Sequence, residues 1–246
     1  MAKGAGLAQK FWLHGRDISS EVGQLNRVAT PKTFMLATGI DKSAVERLIT
    51  RTDGVIDFSS FFDDATGKAF TALKSLLTTD VIALYANGTS VGNTCAFLEG
   101  KQNNYDGARD ADGRMEFQTI VEATGQPVNW GVMLSAGEDT HASSTSSASK
   151  DDSASSSNGL RAVLQLREID SGTPTFVIED SANDSTWATL ISFAAVADGS
   201  EPTAERKTVT GTVDRYLRVT TTGTFTNADF AIGYERGTAN DIEDLS

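Results

Sequence analysis

The sequence predicts a mainly β protein with one helix, on the basis of three observations. Its 246 residues include 22 glycines and many threonines and serines but only 4 prolines, which is typical of short strands joined by tight turns. Several segments alternate apolar and polar residues with the period of two that half-buried strands require. Helical spacing of apolar residues is clear only within residues 64–78.

Charge and composition limit the class of protein further. The formal net charge is -12, which opposes passive binding to nucleic acid or to anionic lipid. A single cysteine excludes an intramolecular disulfide framework and an all-cysteine metal site. No stretch is long and apolar enough to span a bilayer, and the first residues lack the apolar segment of a secretory signal. We therefore expect a protein made in a cytoplasm, without membrane insertion.

The first part of the chain predicts a β domain with one helix. Residues 11–28 indicate a short hairpin that turns at 15–17, where Asp17 and Ser19 supply turn hydrogen bonds. The helix is expected over residues 64–78, with Asp64 or Thr66 as its N-cap and with Phe70, Leu73 and Leu77 on its apolar face. Further strands are predicted at residues 55–58, 81–86, 94–98 and 115–123.

Residues 30–53 fit neither the strand nor the helix pattern. Apolar residues are spread here among polar ones without a period, which is typical of a protruding arm that buries its apolar side chains against a neighbouring subunit. An ordinary loop with a short helix at residues 43–49 is the alternative. On the first interpretation, the candidate interface residues are Leu36, Ile40, Val45 and Leu48.

A serine-rich segment divides the chain. Nine of the nineteen residues at 141–159 are serine, so the segment is expected to be a flexible linker or a long exposed loop. It separates a predicted domain at residues 1–140 from one at 160–246. Residues 160–246 are predicted to form six short strands, as in a small β-sandwich or jelly roll. These strands are expected at residues 160–167, 175–179, 187–193, 208–213, 215–221 and 229–235.

The sequence contains one match to a catalytic motif. Residues 88–92 spell the G-x-S-x-G of a nucleophile elbow. Ser90 would be the nucleophile, Asp106 or Asp110 the acid and His141 the base. The elbow requires a helix after the serine, whereas residues 93–102 indicate a strand, and Asn-Gly is a strong hairpin signal. A serine hydrolase is therefore the weakest of the functional hypotheses.

The remaining candidate sites favour structural interpretations. Asp110, Asp112 and Gly113 match only part of a calcium loop and predict a solvated turn, and Cys95 predicts a buried side chain. We expect no metal or cofactor. Trp187 and Tyr216 are the aromatic residues of the second part that could stack on a sugar, although core packing is the commoner role of such residues.

The order of motifs from Phe11 to Leu134 resembles the major tail proteins of long-tailed bacteriophages. It is carried by FWLHGRDISSEVGQL, with Gly15, Asp17, Ile18 and Ser19 as a G-x-D-I-S turn, then by DGVIDFSSFFDDATGKAFTAL and MEFQTIVEATG. The second part, with TVDRYLRVTTTG and FAIGYERG, resembles the immunoglobulin-like or galactose-binding-like sandwiches that decorate some tail proteins.

This resemblance implies a tail-tube-type fold of two β-sheets with one helix, followed by an outer β-sandwich. It implies hexameric rings that stack into a tube, in the tail of the virion, through which DNA passes without specific binding. The implied partners are further copies of the chain, other tail proteins at the tube ends and a surface glycan, and no active site is implied. The rival hypotheses are a non-catalytic carbohydrate-binding protein and the Ser90 hydrolase.

Overall fold

A computed structural model describes residues 8–75 and 78–238. These residues form strands and one short helix, which confirms the predicted mainly β class. The elements of the first half are β1 (Lys10–Leu13), β2 (Arg16–Asp17), β3 (Val22–Ala29), β4 (Lys32–Leu36), β5 (Arg47–Thr52), β6 (Val55–Phe61), α1 (Ala69–Leu73), β7 (Asp80–Ala86), β8 (Thr94–Gln102), β9 (Asp106–Arg109) and β10 (Met115–Ala123).

The second half contains strands alone among the described residues. They are β11 (Asn129–Met133), β12 (Asp139–His141), β13 (Thr145–Ser146), β14 (Lys150–Asp151), β15 (Leu160–Gly172), β16 (Thr175–Ser181), β17 (Ala188–Ser192), β18 (Thr203–Val209), β19 (Tyr216–Thr222) and β20 (Phe225–Arg236). No helix in the described parts of the chain is long and apolar enough to cross a membrane.

The strands form a large sheet, a smaller sheet and a separate hairpin. The main path of the large sheet runs β18-β15-β20-β11-β8-β10-β6-β3, and the smaller sheet runs β13-β19-β16-β17, with β14 also paired to β19. Strands β4 and β5 pair only with each other. The β15–β20 end of the large sheet packs on the smaller sheet, with Leu164 and Phe230 on one side of the core and Phe176 and Leu217 on the other.

Several local predictions require correction. The turn after β1 is present, but β3 pairs with β6 rather than folding back on β1. The helix has five residues and its N-cap is Lys68, without a side-chain cap, instead of Asp64 or Thr66. The strand predicted at residues 208–213 begins and ends earlier in the structure, because β18 occupies Thr203–Val209 and shares only residues 208–209 with it. Residues 76–77, which the helix prediction included, lie outside the described residues.

The large sheet crosses the predicted domain boundary. In β11, Val132 pairs with Tyr234 of β20, and one core cluster combines Trp12 and Phe97 with Val163. Arg161 and Gln165 of β15 are buried, and Gln165 bonds Gly15 and Ile82 of the first half. Whether residues 1–140 and 160–246 fold as separate domains stays a prediction.

The serine-rich segment is tied to the sandwich by backbone pairing. Its strands β13 and β14 both pair with β19. Asp152 is its main side-chain anchor: it accepts hydrogen bonds from the Tyr234 hydroxyl at 2.7 Å and from Arg236 Nε at 2.6 Å, and it pairs with Lys150. These contacts hold the segment at the edge of the smaller sheet, and whether it links two domains stays a prediction.

Candidate functional site

The hairpin of β4 and β5, hereafter the arm, lies within the segment predicted as an arm and forms a sheet of its own. Its strands pair in antiparallel register, with Phe34 opposite Ile49 and Met35 opposite Leu48. The alternative helix at residues 43–49 is wrong, because the second half of that range lies in β5. Neighbouring positions on a strand point to opposite faces, so each face of the arm carries one of these apolar pairs.

Every described residue of β4 and β5 is exposed. Leu36 is 69% exposed and Met35 52% exposed, whereas the apolar residues of the large sheet are mostly buried. An isolated two-stranded hairpin is marginally stable in water, and large exposed apolar patches mark interaction surfaces. The arm thus carries a solvated apolar surface on both faces. Its large apolar side chains are Phe34, Met35, Leu36, Ile40, Val45, Leu48 and Ile49.

The charge of the arm differs in sign from that of the rest of the chain. Residues 30–53 contain four basic and three acidic residues, which gives a net charge of +1 within a chain of -12. Opposite net charges on two surfaces steer them together and disfavour like-charged partners. The arm therefore does not share the net negative charge of the rest of the chain.

The two candidate glycan-binding residues lie at the smaller sheet, each beside an arginine. Trp187 precedes β17, and the guanidinium of Arg218 stands 4.1 Å from the centre of its ring. Tyr216 begins β19, and Arg215 lies 4.9 Å from its ring centre. Both aromatic side chains are partly exposed rather than part of the core. An arginine on a ring leaves only the remaining face for a sugar.

In the Ser90 hypothesis the nucleophile lacks the helix that it requires, and the base is engaged in other contacts. Ser90 is exposed in the turn between β7 and β8, and the chain continues into a strand rather than the helix of a nucleophile elbow. His141 is buried and both its ring nitrogens are engaged, one with Thr221 Oγ1 at 2.8 Å and the other with Ser147 Oγ at 2.9 Å. Burial lowers the pKa of His141, with Asp139 opposing the shift.

The acids of that hypothesis are also engaged elsewhere. Asp110 pairs with Arg114 at 2.7 Å in the loop between β9 and β10, and Asp106 accepts a hydrogen bond from Asn104. The partial calcium motif lies in the same loop, where the Gly113 amide donates to the Asp110 carbonyl. Among the described residues, no group of three or more His, Cys, Asp or Glu side chains is arranged to hold a metal ion.

Cys95 lies buried in β8. Burial, reinforced by the nearby Glu235 carboxylate, raises the pKa of its thiol to about 12. A thiol with so high a pKa is protonated at neutral pH and is a poor nucleophile.

Two residues that the sequence does not single out lie where the halves of the molecule meet. Gln165 lies in β15, where its side chain accepts from the Gly15 amide at 2.6 Å and donates to the Ile82 carbonyl at 2.9 Å. Arg16 follows Gly15 in β2. The signal that could have found Gln165 is an amide between Leu164 and Leu166, in a strand whose first seven residues are apolar except for Arg161 and Gln165 itself.

No protein-family model matches the chain, and no curated protein matches it. Among solved structures it is similar to the Dit protein of phage SPP1, described as a paradigm of the hub adsorption apparatus of phages that infect Gram-positive hosts. The identity is 12%, the match covers 92% of this chain and 99% of that one, and the TM-score is 0.34.

Two structures of the phage p2 baseplate in its activated conformation are similar at the same low level. The strontium form has 8% identity over 93% of this chain and 98% of that chain, with a TM-score of 0.31. The calcium form has 8% identity over 94% and 99%, with a TM-score of 0.30. Such values assign this chain neither to a family nor to a function.

Proposed function

We propose that this protein is a structural subunit of a bacteriophage tail. In this proposal it assembles into rings that stack as a tail tube, and the arm bridges one subunit to the next. The observation that carries the proposal is the arm, whose two faces are both apolar and both exposed in the single chain. The order of sequence motifs from Phe11 to Leu134 supplies the resemblance to tail proteins.

The charge of the chain is compatible with a conduit for DNA. A lumen that attracted phosphate would slow the passage of the genome, since affinity for DNA grows with the number of phosphates neutralised. A net charge of -12 opposes such contacts. Heterologous contacts that do not close into a point group produce open, stacked assemblies.

Negative-stain electron microscopy with sedimentation velocity over a range of concentrations tests this proposal. We expect hollow rings or tubes that grow with concentration. A wild-type chain that remains a monomer at every concentration would contradict the proposal. If the protein forms rings that do not stack, the ring part of the proposal stands and the tube is replaced by a single ring at the end of a tail.

Variants of the arm identify the contact. Leu36 and Leu48 lie on opposite faces of the hairpin, because Leu36 pairs with Arg47 and Leu48 with Met35. Both are already exposed in the single chain, so Leu36→Ser and Leu48→Ser should leave the monomer's stability nearly unchanged while each reduces assembly. Val91→Ser, at an exposed apolar residue in the β7–β8 turn, is the matched control. Assembly unchanged in both arm variants would exclude the arm as the contact.

Glycan binding at the smaller sheet is the second part of the proposal. Trp187 and Tyr216 are partly exposed, and aromatic rings with polar neighbours are common sugar platforms. Glycan-array binding that is lost in Trp187→Ala and kept in Trp130→Ala would support it. Trp130 is 48% exposed on β11 of the large sheet, which makes it the matched control. Equal binding by both variants would refute the site.

A further inference from the structure

A cleft of about 700 Å³ lies where the turn of β1 and β2 and the start of α1 face β15 of the second half. Its volume falls within the range of about 300 to 1,000 Å³ that is typical of sites for small organic ligands. Both halves of the chain contribute to its wall. The lining residues that matter here are Arg16, Asp17, Lys68, Glu138 and Arg167.

The β1–β2 turn is held in place by close backbone contacts. Gly15 has a φ of +83°, and its amide donates to Gln165 Oε1 at 2.6 Å. A Cβ built on Gly15 would lie 2.5 Å from the Leu166 carbonyl oxygen and 2.5 Å from the Thr203 nitrogen. The next residue, Arg16, is therefore carried on a turn that docks against β15 and β18. Its position at the cleft depends on that docking.

Four of the five charged lining residues are compensated by ion pairs. Asp17 pairs with Lys10 at 2.9 Å, Lys68 with Glu21 at 3.0 Å, and Glu138 with Arg167 at 2.9 Å.

Arg16 differs from these four. Within the described residues its guanidinium donates one long hydrogen bond, from Nη1 to the His14 carbonyl oxygen at 3.4 Å. Among the residues that the structure describes, it has no carboxylate partner. The lining charges sum to +1 on a protein of net charge -12.

We propose that this cleft binds the phosphate or carboxylate group of a small ligand and that Arg16 is the residue that pairs with it. The planar guanidinium presents a fork of N–H donors that matches either oxyanion. Partial burial lowers the pKa of Arg16, because it removes part of the water that would compensate the charge. A bound anion would supply that compensation. This site is independent of the proposed assembly, because it lies at the junction of the two halves and not on the arm.

Titration of the isotopically labelled full-length chain with inorganic phosphate, and separately with acetate, tests the proposal at constant ionic strength. We expect saturable chemical-shift changes at the amides around the cleft, among them Gly15, Ser20 and Thr66. A response to phosphate alone, to acetate alone or to both supports the site and identifies which anion it prefers. Absence of saturable shifts with either anion, or shifts confined to other parts of the molecule, would overturn it.

Variants distinguish a specific contribution of Arg16 to anion binding from a general effect of positive charge. Arg16→Gln removes the charge and should weaken binding by about 10-fold or more, because hydrogen bonds to charged groups are among the strong ones. Arg16→Lys keeps the charge without the fork and should bind with intermediate affinity, which keeps the test available if Arg16→Gln does not fold. Arg109→Gln, on exposed β9, should bind like the wild type. Equal weakening in the Arg16 and Arg109 variants would refute the assignment.

Discussion

Gly15→Ala should destabilise the protein strongly, because this glycine lies where the first half of the chain touches the second. Its φ of +83° is a conformation that costs a non-glycine residue about 1 to 3 kcal/mol. The added methyl would also lie 2.5 Å from the Leu166 oxygen and 2.5 Å from the Thr203 nitrogen. Relieving such overlap by backbone movement typically costs about 1 to 3 kcal/mol more. The total is about 2 to 6 kcal/mol, a large share of the roughly 5 to 15 kcal/mol that stabilises a typical domain.

Gly125→Ala provides the matched control, since Gly125 has a φ of +77° and nothing within 4 Å of a built Cβ. It should incur only the conformational cost. Urea unfolding of both variants, followed by tryptophan fluorescence, gives the difference between them, which isolates the contact between the halves. We expect Gly15→Ala to be the less stable by about 1 to 3 kcal/mol. Equal free energies of unfolding would refute the close docking of the β1–β2 turn on β15 and β18.

Three further predictions follow from buried polar groups and the buried thiol. Gln165→Leu should lower the free energy of unfolding, measured in urea, by about 2 to 6 kcal/mol, because two buried backbone groups lose their hydrogen-bond partner. A variant as stable as the wild type would contradict the bridging role of Gln165. Burial would raise the pKa of Asp152, but hydrogen bonds from Lys150, Arg236 and Tyr234 hold it below its usual value. The stability that this carboxylate contributes should therefore be lost as the pH falls below about 4, and Asp152→Asn should remove that part of the acid dependence of the urea midpoint. Cys95, whose thiol pKa burial raises to about 12, should react with a thiol reagent only after unfolding, and rapid labelling of the native protein would disprove its burial.

The sequence could predict those strands that have one face in the buried core and the other face in solvent. In β10, Phe117, Thr119 and Val121 are buried while Gln118 and Glu122 are exposed, so the period of two survives into the structure. Strand β18 lacked that signal, because Thr203–Val209 is an edge strand of intermediate burial without an apolar face. Composition alone cannot reveal an edge strand that is stabilised by backbone pairing.

Long-range contacts explain what the sequence could not predict about the serine-rich segment and the cleft. Serine side chains bury little apolar surface, which is why residues 141–159 predict a linker. The backbone of the segment pairs with β19, and Asp152 binds Arg236, a partner 84 residues away. Arg16 and Arg167 likewise meet at one cleft only because β2 docks on β15. Such partners are set by the fold, and no local pattern of residues encodes them.

The arm sets the energy scale of the proposed assembly. Its seven large apolar side chains are between 52% exposed and, at Ile40, fully exposed. Burying them would gain about 7 to 14 kcal/mol at about 1 to 2 kcal/mol each. Association costs about 4 to 15 kcal/mol in lost translational and rotational freedom. One arm contact is therefore close to break-even, so an isolated pair of subunits should be weak. In a ring or stack each subunit both donates and receives an arm, and two contacts then offset the cost of immobilising one subunit. The proposed assembly is therefore expected to be stable only where each subunit is held by two arm contacts rather than one.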